Sequence, residues 1–175
     1  KIGENIEFEI TGSGNNLTLS FKGYGAMDVN HSRLWETYKD KISTVIIGEG
    51  IETLGEDGWS FYAMKNIRHV KLPSTLQEIP KLAFAFCNEL GDVIIPPSVK
   101  KIGEGAFWKN GGRKNTIYNH SKVFIGDEDY EKYFTTVVQD QNLQRTEEIA
   151  QIRDFKIYTI PEIEKCFFEL ETSGD

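Results

Sequence analysis

The sequence lacks several features that mark large protein classes. It has only two cysteines, too few by themselves for a disulfide framework or a four-ligand zinc site. Its longest uninterrupted apolar run, Leu82 to Cys87, has six residues, whereas a membrane-spanning helix needs about 20. Basic residues are in deficit, with 20 Lys and Arg against 27 Asp and Glu and a net charge of −7. We therefore expect neither a transmembrane segment nor a nucleic-acid partner, which requires a basic surface.

The remaining composition indicates a folded domain. Of the 175 residues, 39% are hydrophobic and 12% are aromatic, which argues against disorder. The length fits one domain, or one domain with a small appendage. The sequence begins at Lys1 and not at Met, so we expect a processed or trimmed chain whose compartment cannot be read from its N-terminus.

An internal repeat dominates the middle of the chain. Residues 70–84 and 93–107 follow one pattern at a constant offset of 23, and both end in Ala-Phe. An earlier copy starts at Val45 and runs up to Val70, with Gly58-Trp59 interpreted as the counterpart of Ala-Phe. The matching positions of the two full copies are Val70 and Val93, Leu72 and Ile95, Pro73 and Pro96, Leu76 and Val99, Ile79 and Ile102, and Phe84 and Phe107.

Each copy predicts one coil of a solenoid. Val-x-Ile is a short strand with alternate side chains facing inward, and the following Pro or Gly turns the chain. A second apolar pair follows, and the ring of Ala-Phe fills the coil. One such coil cannot bury its own apolar edge, whereas stacked coils bury it against each other. The sequence thus predicts that Phe84, Phe107 and Trp59 occupy the ring positions of successive coils.

The repeat resembles the bacterial leucine-rich repeats of the BspA-like type. Residues 93–107 match that unit through Ile-Gly-Glu-Gly-Ala-Phe, and residues 70–90 match it through Pro73, Ala83-Phe84 and Cys87. The resemblance implies a β-rich α/β leucine-rich-repeat solenoid with coils of about 23 residues, within the range of such repeats. It also implies a secreted or cell-surface bacterial protein that contacts other proteins, including host or matrix proteins, in an adhesive role.

Both flanks of the repeats are expected to act as caps. Asn5–Ile10 and Leu17–Lys22 alternate in polarity around a glycine-rich turn and predict a β-hairpin. Ser32 is a candidate N-cap for a short helix that carries Leu34, Trp35 and Tyr38. The predicted organisation is an N-terminal cap over residues 1–41, repeats over 42–66, 67–89 and 90–112, and a C-terminal cap and tail over 113–175.

The C-terminal cap is predicted to contain a helix. After Asp127, a candidate N-cap, apolar residues recur at helical spacing through Tyr130, Tyr133, Phe134, Val137 and Val138. Residues 155–160 predict a strand. The stretch 162–171 fits a helix and also a returning strand, and the sequence leaves that choice open.

No arrangement of residues indicates catalysis. His31, His69 and His120 share no metal-ligand spacing, and no Ser or Cys lies in a nucleophile motif. Cys87 occupies the inward Cys position of the resembled repeat and is expected to be a small buried apolar residue. We therefore expect a binding protein, with no enzymatic activity, metal or cofactor. The oligomeric state is left open.

The predicted binding surface is the outward side of the first strand of each coil. Since inward and outward residues alternate, this ladder comprises Thr44, Ile46, His69, Lys71, Asp92 and Ile94. A competing second-strand ladder comprises Glu52, Glu78 and Lys101, of which Glu78 and Lys101 are expected to neutralise one another. Coverage of the first ladder by the C-terminal tail is the alternative that would remove the site. A glycan-binding module is the alternative function, with Trp35, Trp59, Tyr62 and Trp108 as the aromatic residues.

Overall fold

The computed structural model of the chain covers most of the first 125 residues. It describes residues 2–3, 5–55, 60–108, 110, 114–125 and 135–139, without the side chains of residues 29–33. The strand predicted over 155–160 and the undecided stretch 162–171 lie outside the described residues.

The described chain winds into a β-solenoid of about four turns with almost no helix. Short strands alternate between two sides of the coil, and a 3-10 helix, Val29–Tyr38, lies between the N-terminal strands and the first full coil. The strands are β1 Ile6–Ser13, β2 Asn16–Gly23, β3 Gly25–Ala26, β4 Ile42–Ile47, β5 Ile51–Thr53, β6 His69–Lys71, β7 Glu78–Ile79, β8 Val93–Ile95, β9 Lys101–Ile102, β10 Asn115–Asn119 and β11 Thr135–Gln139.

The first side of the solenoid carries two sheets that follow one another along its axis. The four-stranded sheet has the order β1-β2-β4-β6, and the three-stranded sheet has the order β8-β10-β11. All pairs in them are parallel except the antiparallel pair β1–β2. The second side carries the parallel sheet β3-β5-β7-β9. The predicted domain limits at residues 41 and 112 stay predictions.

The alternation read from the sequence produces the core. Val45 and Ile47 of β4 are buried, as are Val93 and Ile95 of β8. Isoleucine and valine suit these positions because β-branched side chains pack well on a pleated, half-buried surface. The repeated strand pattern therefore delivers one or two apolar side chains per coil to a single continuous core.

A column of stacked aromatic rings runs through the core. Trp35, Phe61, Phe84 and Phe107 are each at most 2% exposed. The Phe61 and Phe84 rings have centroids 5.1 Å apart at an interplanar angle of 5°, and those of Phe84 and Phe107 lie 5.6 Å apart at 7°. Trp35 stacks on Phe61 at 6.1 Å. This spacing is close to the roughly 4.8 Å between neighbouring strands, so each coil contributes one ring to the column.

The ring of the first full coil is Phe61, and the prediction that Trp59 fills this position is wrong. Phe61 lies between Trp35 and Phe84 in the column, whereas Trp59 lies outside the described residues. The constant offset of 23 explains the result, since it also relates Met64 to Cys87. The extra length of this copy therefore precedes residue 60.

The N-terminal hairpin is confirmed. Strands β1 and β2 pair from Ile6↔Gly23 to Ser13↔Asn16, which leaves a two-residue loop of Gly14 and Asn15. Gly14 has φ +58°, as the first central residue of a type II′ turn requires. Ile6 is buried against the core at this end of the solenoid.

The predicted helix in the C-terminal cap is not supported, and its last part is a strand. Thr135–Gln139 form β11, which pairs in parallel with β10, while residues 126–134 lie outside the described residues. The Gln139 side chain explains why Thr135–Gln139 form a strand and not the predicted helix. Its amide accepts a hydrogen bond from the Ile125 N–H at 3.0 Å and donates one to the Ile125 carbonyl at 2.9 Å. Burying an amide is tolerated when its donors and acceptors are satisfied in this way.

Two left-handed backbone positions recur in the segments that follow the strands of the second side. Ala63 (φ +55°) and Phe86 (φ +61°) are related by the repeat offset, as are Leu82 (φ +58°) and Gly105 (φ +64°). The backbone N–H groups of the three non-glycine residues donate hydrogen bonds to carbonyl groups of the next coil. The bonds run from Ala63 to Ala85 at 2.9 Å, from Leu82 to Glu104 at 3.1 Å and from Phe86 to Trp108 at 2.8 Å. These inter-coil hydrogen bonds hold non-glycine residues in a conformation that costs about 1–2 kcal/mol each.

We predict that Ala63→Gly stabilises the chain by about 0.5–1 kcal/mol. Removal of the left-handed penalty outweighs the extra backbone entropy that glycine gives the unfolded chain. Chemical denaturation measures the change. Ala26→Gly is the matched control, because Ala26 has an ordinary backbone conformation, and it should destabilise instead. Equal losses in both variants would contradict the prediction.

Candidate functional site

The six predicted binding residues lie on the first side of three consecutive coils. Thr44 and Ile46 belong to β4, and in the parallel ladder Thr44 pairs with His69 and Ile46 with Lys71. Between them, Val45 pairs with Val70 on the opposite face. Because side chains alternate along a strand, the four residues share the side of the sheet that faces away from the core. We call this side the outward face.

Asp92 and Ile94 continue the outward face on the next coil. Strands β6 and β8 belong to different sheets, but the Gly91 N–H donates to the Arg68 carbonyl at 2.9 Å just before both strands. This bond brings His69 and Asp92 to equivalent positions of neighbouring coils. The Asp92 carboxylate accepts a hydrogen bond from the Thr116 N–H at 2.8 Å, which fixes its orientation.

Exposure differs strongly across the outward face. Ile94 is 61% exposed, the largest value among the exposed aliphatic side chains of the described residues. Ile46 is half-buried, and His69, Lys71 and Asp92 are exposed. An isoleucine presented to solvent between charged neighbours on a regular sheet can contribute about 1–2 kcal/mol when a partner covers it.

The structure adds two residues that the sequence analysis did not assign to this face. Thr116 and Tyr118 are the outward residues of β10, and Tyr118 pairs directly with Ile94. Their alternation with buried Ile117 is visible in the sequence. The signal was missed because the turn residue and the Ala-Phe that follow the first strand in the two full copies have no counterpart in register after Ile117.

Charge on the outward face is mixed. Lys71 lies close enough to Glu49 to help lower the pKa of that carboxyl group, after the larger effect of hydrogen bonds from Ser74. His69 and Asp92 face solvent beside one another. The outward face therefore combines a central aliphatic residue with charges of both signs, a composition that suits a protein partner more than a membrane or a polyanion.

In the competing second-strand ladder, Glu78 and Lys101 neutralise one another as predicted. Glu78 and Lys101 pair in register, and the Lys101 ammonium lies 2.6 Å from the Glu78 carboxylate. A further ion pair, between Lys81 and Glu104 at 3.2 Å, repeats the arrangement on the same two coils. Exposed pairs of this kind contribute at most about 1 kcal/mol and indicate a solvated surface.

The aromatic residues considered for glycan binding are only partly available. Trp35 is 2% exposed in the ring column, and Trp59 lies outside the described residues. Tyr62 and Trp108 are half-buried on either side of Phe86, with neighbouring rings tilted by 59° and 67°. A row of mutually tilted rings differs from the flat surface that stacking on a sugar ring needs.

Cys87 is a structural residue of the core. It is fully buried, its backbone N–H donates to the Asn110 side chain at 2.9 Å, and its thiol donates to the Phe61 carbonyl at 3.1 Å. Burial raises the pKa of Cys87 to about 12. In the part of the chain that the structure describes, no three His, Cys, Asp or Glu side chains are grouped to hold a metal ion. No helix there has the length and apolarity needed to cross a membrane.

Comparison with protein families identifies the repeat. Residues 37–134 match the family described as BspA type leucine rich repeat region, in six copies. The match covers more than half of the chain and includes the outward face. No curated protein matches the sequence at a significant level.

Solved structures of bacterial leucine-rich-repeat proteins share the fold. A leucine-rich repeat protein from Eubacterium ventriosum aligns over 82% of this chain and 44% of its own, with a TM-score of 0.58 and 22% identity. The pneumococcal vaccine antigen PcpA aligns over 71% of this chain and 38% of its own, with a TM-score of 0.52 and 16% identity. This chain thus spans less than half the length of either protein, and at these identities the likeness concerns the fold alone.

We predict that Cys87 is inert to thiol reagents in the folded chain at pH 8. The reactive form is the thiolate, and a thiol with its pKa near 12 ionises only when the coil opens. A Cys166→Ser variant isolates Cys87, and colorimetric labelling measures the rate with and without denaturant. Native labelling as fast as labelling of the unfolded chain would show that the thiol is accessible.

Proposed function

This chain belongs to the family of BspA type leucine-rich repeats, and from that premise we propose that it is a protein-binding module of a secreted or cell-surface bacterial protein. Leucine-rich-repeat proteins are generally non-catalytic binding modules. The observation that carries the proposal is Ile94, which is 61% exposed at the centre of the outward face. Solenoids form an extended binding surface from equivalent residues of successive coils.

The outward face extends across four strands of the solenoid. It includes the six residues of β4, β6 and β8 together with Thr116 and Tyr118 of β10, and strands spaced by about 4.8 Å give it a width of roughly 20 Å. Ile46, Ile94 and Tyr118 form an outward row that Lys71 interrupts. We propose that this row provides the hydrophobic centre and that Thr44, His69 and Asp92 form part of its polar surround, the usual arrangement of protein interfaces.

A secreted or surface location, and adhesion to host or matrix proteins, form the finer part of the proposal. The family supports them, and the net charge of −7 argues only against nucleic acid as the partner. A glycan-binding module is the second candidate. Its support is weaker because Trp35 is buried and the rings around Phe86 are tilted against each other.

We predict that Ile94→Asp weakens binding to a protein partner about tenfold or more, since central apolar residues dominate binding energy. The purified chain is titrated by surface plasmon resonance against purified extracellular-matrix proteins and, in parallel, applied to a glycan array. Leu34→Asp is the matched control, because Leu34 is 48% exposed on the 3-10 helix, which contributes no residue to the outward face.

The Leu34→Asp variant is expected to bind within about twofold of the unaltered chain, as surface positions outside a contact do. Binding that survives Ile94→Asp but is lost in Leu34→Asp would place the site elsewhere. Signal on the glycan array with no protein binding would favour the second candidate.

A further inference from the structure

The outer edge of strand β1 forms one end of the four-stranded sheet. In the order β1-β2-β4-β6, only β2 pairs with β1 among the described residues. The strand is eight residues long, and its core-facing residues Phe8 and Ile10 are only partly buried. A long edge with partly exposed apolar side chains is a template for pairing with another strand.

The hairpin register determines which backbone groups point to this edge. A two-residue loop is closed by a hydrogen-bonded pair, here Ser13 and Asn16, and such pairs recur at every second residue. The odd-numbered residues of β1 therefore direct their N–H and C=O groups to β2, and Phe8, Ile10 and Gly12 direct theirs outward. The bond from the Ile2 N–H to the Ile6 carbonyl, at 3.1 Å, agrees with this alternation and occupies the edge at Ile6.

We propose that two copies of the chain associate through antiparallel pairing of β1 with β1, centred on Ile10. In this register the two Ile10 residues exchange backbone hydrogen bonds, and each Phe8 pairs with Gly12 of the other copy. Phe8, whose ring contacts Trp35 at 5.6 Å, then covers the glycine and gains an apolar neighbour. Pairing an aromatic residue with a cross-strand glycine is a known stabilising device of sheets.

The acidic residues of β1 disfavour the registers centred on Phe8 and Glu9, and a register centred on Thr11 would leave fewer residues paired before the turn at Gly14. Glu7 and Glu9 lie on the outward side of the strand and are exposed. Centring the pair on Phe8 would place Glu7 opposite Glu9, and centring it on Glu9 would place the two Glu9 side chains opposite each other; like charges directly opposite are destabilising. Centring on Ile10 instead sets Glu9 against Thr11 and Glu7 against Ser13. It also leaves the occupied Ile6 outside the ladder.

The dimer would place two outward faces on one surface. The twofold axis of an antiparallel strand pair is normal to the sheet, so both copies keep their outward faces on the same side. Simultaneous contact with two partner sites raises avidity without new contacts. This consequence rests on the proposed function, whereas the dimer itself depends only on β1. The short ladder implies a small, transient interface and a concentration-dependent equilibrium.

Opposite charges introduced at Thr11 test the register. Sedimentation velocity of the full chain at low salt measures the dimer dissociation constant. Thr11→Glu, which places an acid opposite Glu9 twice, should raise the constant about tenfold, and Thr11→Lys should lower it about tenfold. Thr11 is exposed, so neither change should affect folding. Asn88 is exposed in the turn after Cys87, and Asn88→Glu and Asn88→Lys are matched controls that should leave the constant unchanged.

A cross-linking experiment tests the symmetry centre separately. In a Cys166→Ser background, Ile10→Cys should form a disulfide-linked dimer on mild oxidation, because residues of a hydrogen-bonded pair lie about 5.5 Å apart at Cα. Phe8→Cys should not, since its copies would lie more than about 10 Å apart. A monomer at every concentration, Thr11 variants that shift the constant in the same direction, or cross-linking through Phe8→Cys in place of Ile10→Cys would each overturn the proposal.

Discussion

The structure depends on one constraint: a single coil of a leucine-rich repeat is too small to enclose a core of its own, so each coil must be completed by its neighbours. The stacked rings of Trp35, Phe61, Phe84 and Phe107 are the clearest expression of this constraint. Their separations of 5.1–6.1 Å are set by the spacing of the strands, and the strands are held at that spacing by backbone hydrogen bonds. The rings and the sheets therefore stabilise each other, and a defect in one coil is transmitted to both neighbours.

The outward face follows from the same constraint. Once alternate residues such as Val45 and Val93 are committed to the shared core, the residues between them must face solvent, and stacking places them in rows. Ile46, Ile94 and Tyr118 fall into one row, whereas the second side of the solenoid places Glu78 against Lys101. The two sides thus differ in what they offer a partner, although the same packing rule generates both.

Residues with a strict period could be located from the sequence, and residues outside that period could not. The offset of 23 identified Phe84 and Phe107, and polarity alternation identified the hairpin and the ladder of Thr44, His69 and Asp92. An insertion before residue 60 obscured Phe61. Gly58-Trp59 and the pair of residues that ends in Phe61 each combine a small residue with an aromatic ring, so both fit the Ala-Phe position of the repeat. Gln139 shows the second limit: helical spacing and strand alternation overlap in Thr135–Gln139, and a buried amide contact with Ile125 decides between them. Such long-range contacts leave no local signal.

The unfolding of a Phe84→Ala variant is the measurement that tests this account most directly. Phe84 lies in the middle of the column and contacts a ring on each side. If the column joins the coils, the variant should lose about 3–5 kcal/mol of unfolding free energy and still unfold in one cooperative transition, monitored by both far-ultraviolet circular dichroism and tryptophan fluorescence. A loss below about 1 kcal/mol, or separate transitions for the two probes in the unaltered chain, would show that the coils are stable individually and would contradict the account.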